Sequence, residues 1–273
     1  MKKIFAALLF VLVLAGCGSK GTTETSSTDS KEKVEVIKVA SHTAPMTTIL
    51  EMIQDDLEKE GYQLEIETVT DNVQANVALQ GKEVDANFFQ HPLFMQMFNE
   101  KNGTDFVAVQ PIYNAVVSFY GKDLKNIEDL KDGADIAVPS DPANLTRALR
   151  LLEQNDLIKL DDDKSYSLTL ENIKENPKNL KFTEVGLLNL NEAYEEKDMV
   201  FNYPTYIKKL DLNPEENGLI FEKNDDLNYA ISLVVNKEDE DSDKISALKK
   251  AMASDEVKAF LEGELKGSVI VSF

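Results

Sequence analysis

The sequence is poor in cysteine, histidine and positive charge. Cys17 is the only cysteine, and His42 and His91 are the only histidines, among 273 residues. A single cysteine cannot form a disulfide within the chain, so the fold must be stabilised by its hydrophobic core. The sequence contains no Cys/His metal-binding spacing, no glycine-rich phosphate loop and no Gly-x-Ser-x-Gly nucleophile elbow. We therefore predict no metal site, no cofactor and no catalytic residue.

Basic residues are too few to balance the acidic ones. Lys and Arg together number 29 against 49 Asp and Glu, which gives a formal net charge of −20. A chain this acidic does not bind nucleic acid or an anionic membrane surface through its general charge. We predict no nucleic-acid partner, and an anionic ligand must be held by a local feature. The carboxylates offer many pairs for acid–base chemistry, but no pattern singles one out.

The apolar segment at the start of the chain is too short to span a membrane. It covers residues 4–15, whereas a membrane-spanning helix needs roughly 20 apolar residues. Lys2 and Lys3 precede it, and Leu14-Ala15-Gly16-Cys17 ends it. A basic start, a short apolar stretch and a small-residue cleavage region indicate a secretory signal peptide. The Leu-Ala-Gly-Cys run resembles a bacterial lipobox, in which the cysteine is acylated and becomes the mature N-terminus.

Cys17 therefore predicts a lipid anchor. We expect residues 1–16 to be a lipoprotein signal peptide. Residues 17–33 should be the lipidated N-terminus and a flexible linker, because residues 18–33 contain no large apolar side chain. The expected location is the extracytoplasmic face of the cell membrane, held there by the lipid. The alternative is a simple secreted protein with an incidental cysteine near the cleavage point.

From Val34 onwards, strand-like and helix-like segments alternate. Period-two and β-branched segments predict strands at residues 36–40, 64–69, 84–89, 106–112, 116–121, 135–139, 180–185, 199–202, 219–221 and 230–235. Helical spacing of apolar residues predicts helices at residues 46–57, 92–101, 127–130, 144–157, 243–252 and 255–262. A short helix is also predicted after Asp71, with Val73 and Val77 facing inward. This alternation predicts α/β units with a largely parallel sheet.

The first candidate site is the strand end at residues 84–92. Phe88 and Phe89 are followed by His91 and then by Pro92, just before a helix. In open α/β sheets, ligands gather at the carboxyl ends of the strands. These side chains therefore predict part of a binding site. The alternative is structural, with both phenylalanines in the core and His91 capping the next helix.

The second candidate site precedes the helix predicted at residues 144–157. Ser140, Asp141 or Asn144 can cap this helix. Arg147 lies early in the helix, at the end where a cation is normally disfavoured. A guanidinium and the free backbone amides of the first turn can together hold a carboxylate. The alternative is that Arg147 pairs with one of the many acidic side chains.

Several segments carry a family resemblance. The most specific are the Asn-Phe-Phe-Gln-His run at residues 87–91 and the Asn-Pro-Lys-Asn-Leu-Lys-Phe run at residues 176–182. Further matching segments are residues 81–86, 137–144, 147–149, 155–160 and 266–270. With these segments and its lipobox, the chain resembles the methionine-binding lipoproteins of the NlpA/MetQ type, the substrate-binding components of amino-acid ABC importers. The resemblance covers nearly all of the folded part.

The resemblance implies an α/β, two-lobed periplasmic-binding-protein-like fold (a Venus flytrap) with the ligand cleft between the lobes. Residues 34–112 with 225–273 are expected to form lobe 1, and residues 113–224 lobe 2. From the strand-end patterns and the resemblance together, the expected ligand contacts are Phe88, Phe89, His91, Phe94, Asn144, Arg147, Asn202, Asn72 and Tyr113. Among them, Arg147 is expected to hold the α-carboxylate of the ligand and Asn202 to contact its backbone end, while Tyr113 is a weaker candidate near the crossover.

The chain departs from the family pattern at three positions. The family usually has a tyrosine near Asn72, a second asparagine at Ile231 and a tyrosine at Phe94. The first two differences change an aromatic wall and a polar contact, and a buried polar group left unpaired costs about 1–3 kcal/mol. Methionine is therefore the leading ligand, with a methionine-containing dipeptide or another amino acid as the alternatives.

The function predicted from the sequence is binding and delivery rather than chemistry. We expect a monomeric, membrane-anchored substrate-binding lipoprotein that delivers its ligand to a membrane permease driven by a cytoplasmic ATPase. Two other classes stay open: an enzyme that uses His91 with a nearby acid, and a surface adhesin or scaffold with a vestigial cleft.

Overall fold

Two large β-sheets and a small two-stranded one, with helices packed around them, form the folded part of the chain. The structure is a computed structural model that describes residues 34–161, 165–222 and 226–273. Its strands are β1 (Glu35–Ser41), β2 (Tyr62–Thr68), β3 (Ala86–Gln90), β4 (Phe106–Ala115), β5 (Ser118–Tyr120), β6 (Asp135–Pro139), β7 (Lys159–Leu160), β8 (Ile173–Glu175), β9 (Lys181–Val185), β10 (Met199–Asn202), β11 (Ile220–Phe221), β12 (Ala230–Asn236) and β13 (Val269–Val271).

The helices lie between these strands. They are α1 (Met46–Met52), α2 (Gln54–Lys59), α3 (Asn72–Gln80), α4 (Pro92–Asn102), α5 (Pro142–Gln154), α6 (Leu190–Ala193), α7 (Pro204–Ile207), α8 (Pro214–Asn217), α9 (Asp243–Met252) and α10 (Asp255–Gly263). Short 3-10 turns lie at Ile127–Asp129, Leu170–Asn172, Leu187–Asn189, Lys208–Leu210, Leu227–Tyr229 and Lys237–Asp239. The predicted helix at 46–57 is thus divided at Ile53, and the one at 127–130 is a 3-10 turn.

The first sheet has the strand order β13-β4-β12-β3-β1-β2. Its strand β1 pairs in parallel with β2 and β3, whereas β12 runs antiparallel to both β3 and β4. The apolar side chains of Ile37, Val39 and Val234 have no exposed surface. The sheet is therefore covered by the helices and loops around it, and its centre is part of the hydrophobic core.

The second sheet has the order β11-β5-β10-β6-β9. Strand β6 is parallel to β9 and β10, while β5 is antiparallel to β10 and β11. Both sheets are thus mixed, and the prediction of a largely parallel sheet is wrong. The strands that the chain reaches by crossing from one sheet to the other, β5 and β12, run antiparallel to their neighbours, which a strand–helix alternation does not indicate.

The carboxyl ends of parallel neighbours position the polar side chains. In the first sheet β1 and β3 end side by side, and His42 and His91 are the residues that follow them. In the second sheet β6 and β10 are parallel neighbours, and they lead into the start of α5 and into Tyr203. Each sheet therefore presents its polar side chains at one edge, as ligand sites of α/β proteins do.

Helix α3 faces the core with a different side from the predicted one. Val73 and Val77 are about half exposed (54% and 52%), so the prediction that they point inward is wrong. The buried face carries Ala75, Asn76 and Leu79 instead. Asn76 can lie inside because its amide is hydrogen bonded to other buried amides, and the two valines fall on the opposite side of the helix.

The predicted segment boundaries have different outcomes. Strand β4 continues through residue 112 to Ala115 in the first sheet. The lobe boundaries at 112/113 and 224/225 stay a prediction. The signal peptide and linker expected at residues 1–33 lie outside the described residues. Within the described part of the chain, no helix is long and apolar enough to cross a membrane.

Candidate functional site

The candidate site is a cavity between the edges of the two sheets. It encloses about 430 Å³ of space between the protein atoms, part of which is open to solvent. Its wall is formed by Met46, Asn72, Phe89, Gln90, His91, Phe94, Tyr113, Ala115, Asn144, Leu187, Tyr203, Thr205, Tyr206 and Ile231. Both sheets therefore contribute to one pocket, as a ligand cleft between two lobes requires.

Seven side chains form a closed circuit of contacts around this pocket, and all of them except His42 line its wall. In order they are His42, Phe89, Phe94, His91, Asn144, Tyr203 and Tyr206. The ring centroids of neighbouring aromatic members lie 5.9–6.5 Å apart. Polar contacts of Asn144 complete the circuit. We call this set the aromatic circuit, and its members come from both sides of the cleft.

Asn144 is held in place by the start of α5. Asp141 caps the helix by accepting a hydrogen bond from the Asn144 backbone N–H at 2.9 Å, and it also accepts from Asn144 Nδ2 at 3.0 Å. With the Asn144 Nδ2 group engaged in this way, Oδ1 is free to point elsewhere. It accepts a 2.6 Å hydrogen bond from the Tyr203 hydroxyl, so Asp141 fixes the orientation of a polar atom in the pocket.

His91 caps α4 and is neutral. Its Nδ1 accepts a hydrogen bond from the Phe94 backbone N–H at 3.2 Å, so the ring proton resides on Nε2. That nitrogen lies 3.4 Å from Asn144 Oδ1. Burial, together with the positive charge of Arg147, lowers the pKa of His91 to about 3. His91 therefore offers an uncharged N–H to the pocket at every physiological pH.

The pocket wall is uncharged. None of the described residues that line it is an Asp, Glu, Lys or Arg, and the only lining histidine is neutral. Burial raises the pKa of Tyr203 to about 12, with Arg147 opposing part of the rise, so its hydroxyl also stays protonated. In a chain with a net charge of −20, this neutral surface favours a ligand without net charge.

Arg147 lies one layer behind the wall and is completely buried. Its Nε donates to Glu222 at 2.8 Å, and Nη2 forms an ion pair with the same carboxylate. Nη1 donates to the Tyr203 hydroxyl at 3.0 Å, and Nη2 donates to the Ala115 carbonyl at 2.9 Å. Burial alone lowers the pKa of Arg147, but Glu222 outweighs this effect, and the pKa rises.

The guanidinium is thus largely committed to the protein. Four of its five N–H donors are bound to described residues, and one donor on Nη1 remains. Arg147 therefore pairs with an acidic side chain, Glu222, which is the alternative predicted from the sequence. A direct role for Arg147 towards a ligand stays a prediction, and Tyr203 and Ala115 are the lining residues through which it reaches the pocket.

The other sequence-predicted residues divide into two groups. Tyr113 and Asn72 line the pocket together with Phe89, His91, Phe94 and Asn144. Phe88 is fully buried with its ring edge-on to Tyr113 at 6.4 Å. Asn202 donates from Nδ2 to Asn191 at 2.7 Å and accepts from the Tyr203 backbone N–H at 2.9 Å. Phe88 and Asn202 therefore lie behind the residues that line the pocket. Asn202 holds the backbone of Tyr203 in position.

A cluster of buried amides fixes α3 against the end of β3. Asn76 Oδ1 accepts from Asn87 Nδ2 at 2.9 Å and from Gln90 Nε2 at 2.6 Å, and Asn76 Nδ2 donates to Gln90 Oε1 at 3.0 Å. Gln90 also donates to Asn87 Oδ1 at 2.9 Å. These groups satisfy one another, so they can be buried without a large penalty. The cluster holds the helix that carries Asn72 at a fixed place beside the pocket.

The sequence prediction missed several wall residues from the second sheet. These are Tyr203, Thr205, Tyr206 and Leu187, and Met46, Gln90 and Ala115 were missed on the other side. A local signal for Tyr203 was present. The Asn202-Tyr203-Pro204 run repeats the arrangement of Gln90-His91-Pro92, in which a strand ends, an aromatic or imidazole ring follows and a proline begins a helix.

Comparison with known protein families agrees with this architecture. Residues 37–273 match the model of the NlpA lipoprotein family. The chain belongs to the NlpA lipoprotein family. Residues 1–17 of this family member also match the model of the prokaryotic membrane lipoprotein lipid attachment site. The predicted lipid anchor at Cys17 and the lipid-anchored location at the cell membrane are thereby confirmed.

Known relatives of this NlpA-family chain extend over its full length. It is 35% identical over 277 residues to the methionine-binding lipoprotein MetQ of Bacillus subtilis, covering 99% of this chain and 98% of the relative. A lipoprotein of the YaeC family from Enterococcus faecalis is 41% identical with a TM-score of 0.77, covering 88% of this chain and all of the other.

A nutrient binding protein from Burkholderia cenocepacia, solved bound to methionine, is also similar. It is 31% identical to the NlpA-family chain with a TM-score of 0.82, and the match covers 88% of this chain and 100% of that protein. The two-lobed α/β fold predicted from the sequence is confirmed by the two sheets and by these solved relatives.

Proposed function

We propose that this chain is the lipid-anchored substrate-binding protein of an amino-acid ABC importer and that it binds methionine in the pocket between the sheets. The lipid on Cys17 keeps it near a membrane permease, which a cytoplasmic ATPase drives. The observation that carries the proposal is the uncharged aromatic circuit, in which the side chain of Asn144 is held in a fixed orientation. One relative is named a methionine-binding lipoprotein and another was solved bound to methionine, and both support the same ligand.

The polar end of the amino acid is expected to bind near Asn144. A carboxylate there can accept a hydrogen bond from His91 Nε2 and from the remaining N–H of Arg147, with the first turn of α5 adding its partial positive charge. The 3.4 Å separation of His91 and Asn144 is long for a hydrogen bond, so His91 can turn its N–H to the ligand at little cost. A zwitterion has no net charge, which suits the neutral wall.

The side chain of the ligand is expected to lie along the apolar part of the wall. Phe89, Phe94, Met46 and Ile231 provide this surface. A thioether is polarizable and packs well against aromatic rings and another methionine. Burial of about three methylene-sized groups contributes roughly 2 kcal/mol to binding at about 0.8 kcal/mol for each group.

Closure of the cleft is expected to follow from contacts on both sides. The wall contains residues that follow β3 in the first sheet and residues that follow β6 and β10 in the second. A ligand that touches both sides binds the closed arrangement more tightly than the open one, and so shifts the population towards closure. We propose that the lobes are residues 34–112 with 225–273 and residues 113–224, and that the permease recognises the closed form.

The proposed site is tested by calorimetric titration of the purified protein with L-methionine. We expect saturable binding of one methionine per chain. The Tyr203→Phe variant should bind about tenfold more weakly, or about 1.4 kcal/mol, because it loses the hydroxyl that joins Asn144 to Arg147. Tyr194→Phe removes the same atom outside the pocket and should bind like the unchanged protein. Equal affinities for both variants would place the ligand elsewhere.

The same titration separates the other functional classes. Because His91 stays neutral with a pKa of about 3, binding should be constant between pH 5 and pH 8. An enzyme that used His91 as acid or base would instead consume the ligand, with a rate that follows the titration of the ring. An adhesin or scaffold with a vestigial cleft would bind no amino acid at all.

A further inference from the structure

Two buried polar atoms beside the pocket have no hydrogen-bond partner. Among the described residues, neither Asn72 Oδ1 nor His42 Nε2 makes a hydrogen bond of regular geometry, although the Asn72 side chain lies close enough to His42 to raise its pKa. Native proteins satisfy the great majority of such atoms, and each unsatisfied one costs about 1–3 kcal/mol. Asn72 lines the pocket, and His42 contacts two wall residues, Phe89 and Tyr206. A ligand in the pocket is the group that can satisfy them.

His42 lies across the pocket from Asn144, and Asn72 is close to His42. In the aromatic circuit, His42 is separated from Asn144 by three residues in one direction, Phe89, Phe94 and His91. In the other direction it is separated by two, Tyr206 and Tyr203. A ligand whose backbone end is held at Asn144 therefore extends its side chain towards His42 and Asn72.

The group that binds there is uncharged. The pocket wall carries no charged residue within the described ranges. Burial lowers the pKa of His42 to about 4, with Asn72 opposing part of the fall and Lys209 adding to it. A neutral imidazole and a side-chain amide each recognise a hydrogen-bonding group without net charge. A cationic side-chain end would be desolvated beside them with no opposite charge in the described wall to pair with, and a carboxylate would meet an uncharged imidazole and an amide there, since Lys209 lies outside the wall.

We propose that His42 and Asn72 form a second polar subsite, which selects α-amino acids whose side chain ends in an uncharged hydrogen-bonding group such as a carboxamide. A carboxamide carries a donor and an acceptor together, so it can engage both orphan atoms at once. A thioether has no donor and is only a weak acceptor, so methionine leaves Asn72 Oδ1 unpaired. The inference rests on the proposed function, because it assumes that an amino acid occupies the pocket.

The test compares L-glutamine with L-methionine, which have side chains of similar length. We expect the unchanged protein to bind glutamine at least as tightly as methionine. In Asn72→Leu, the Kd for glutamine should rise by tenfold or more, while the Kd for methionine should stay the same or fall. His42→Phe keeps a ring against Phe89 and Tyr206 but removes the ring nitrogens. Like Asn72→Leu, it should raise the Kd for glutamine and leave the Kd for methionine the same or lower.

The matched control is Gln80→Leu, which adds the same side chain at an exposed position of the same helix. It should leave both affinities unchanged, and thermal unfolding of every variant establishes that it is folded. Binding of methionine but not of glutamine to the unchanged protein would overturn this inference alone. A parallel change of both affinities in Asn72→Leu would overturn it as well. Failure of both ligands to bind the unchanged protein would overturn the proposed function and this inference together.

Discussion

At the scale of single residues, the Arg147–Glu222 pair is a buried feature held by several contacts. Its two side chains are 0% and 7% exposed, so both charges depend on each other for compensation. Two further partners, the Tyr203 hydroxyl and the Ala115 carbonyl, hold the guanidinium in one orientation. Because Tyr203 also donates to Asn144, the pair orders the polar end of the pocket from behind.

Removal of the negative charge at this pair should be strongly destabilising. In Glu222→Gln the buried Arg147 loses its counter-charge, and we expect the free energy of unfolding to fall by about 3 kcal/mol, as for other broken buried ion pairs. Urea unfolding followed by circular dichroism measures the change. The control is Glu195→Gln, which breaks the exposed pair with Lys122 and should lose less than about 1 kcal/mol. A similar small loss in both variants would contradict the importance of the buried pair.

Some residues of the site could be predicted from the sequence, and others could not. His91 and Asn144 were found because each follows a strand and begins a helix, which is a local pattern. The partner of Arg147 could not be found in that way, since Glu222 lies 75 residues further along the chain. Only the fold brings the two together, so an arginine expected to face a ligand is largely occupied by the protein itself.

At the scale of elements, the contact between α3 and β3 shapes one side of the pocket. The buried amides of Asn76, Asn87 and Gln90 join the helix to the strand end. The sequence placed Val73 and Val77 on the inner face because they are apolar. Their outward position follows from the amide cluster, whose hydrogen bonds make a polar helix face suitable for burial. Apolar spacing alone does not reveal such a cluster.

Substitution of Asn76 tests this contact. Asn76→Leu leaves the amide groups of Asn87 and Gln90 without their shared partner, and we expect a loss of about 3 kcal/mol in the free energy of unfolding. Gln80→Leu, on the exposed side of α3, should change it by no more than about 0.5 kcal/mol. Urea titration of the two variants side by side gives the difference. An Asn76→Leu protein as stable as the control would mean that apolar packing, not the amides, fixes α3.

At the scale of the whole molecule, the chain passes between two sheets and forms one pocket at their edges. Alternation of strands and helices was sufficient to predict the α/β class, and the family resemblance was sufficient to predict two lobes. The direction of β5 and β12 was not predicted, because it depends on how the chain crosses from sheet to sheet. The same crossings bring Tyr203 and Tyr206 opposite Phe89 and His42.

The central claim is that this pocket holds one free amino acid. Native mass spectrometry of the freshly purified, full-length protein measures this most directly, because a tight binding protein retains its ligand during purification. The account predicts a single adduct of amino-acid mass on each chain, which disappears after unfolding and refolding and returns when the same amino acid is added. A refolded protein that takes up no amino acid, including methionine and glutamine, would contradict it.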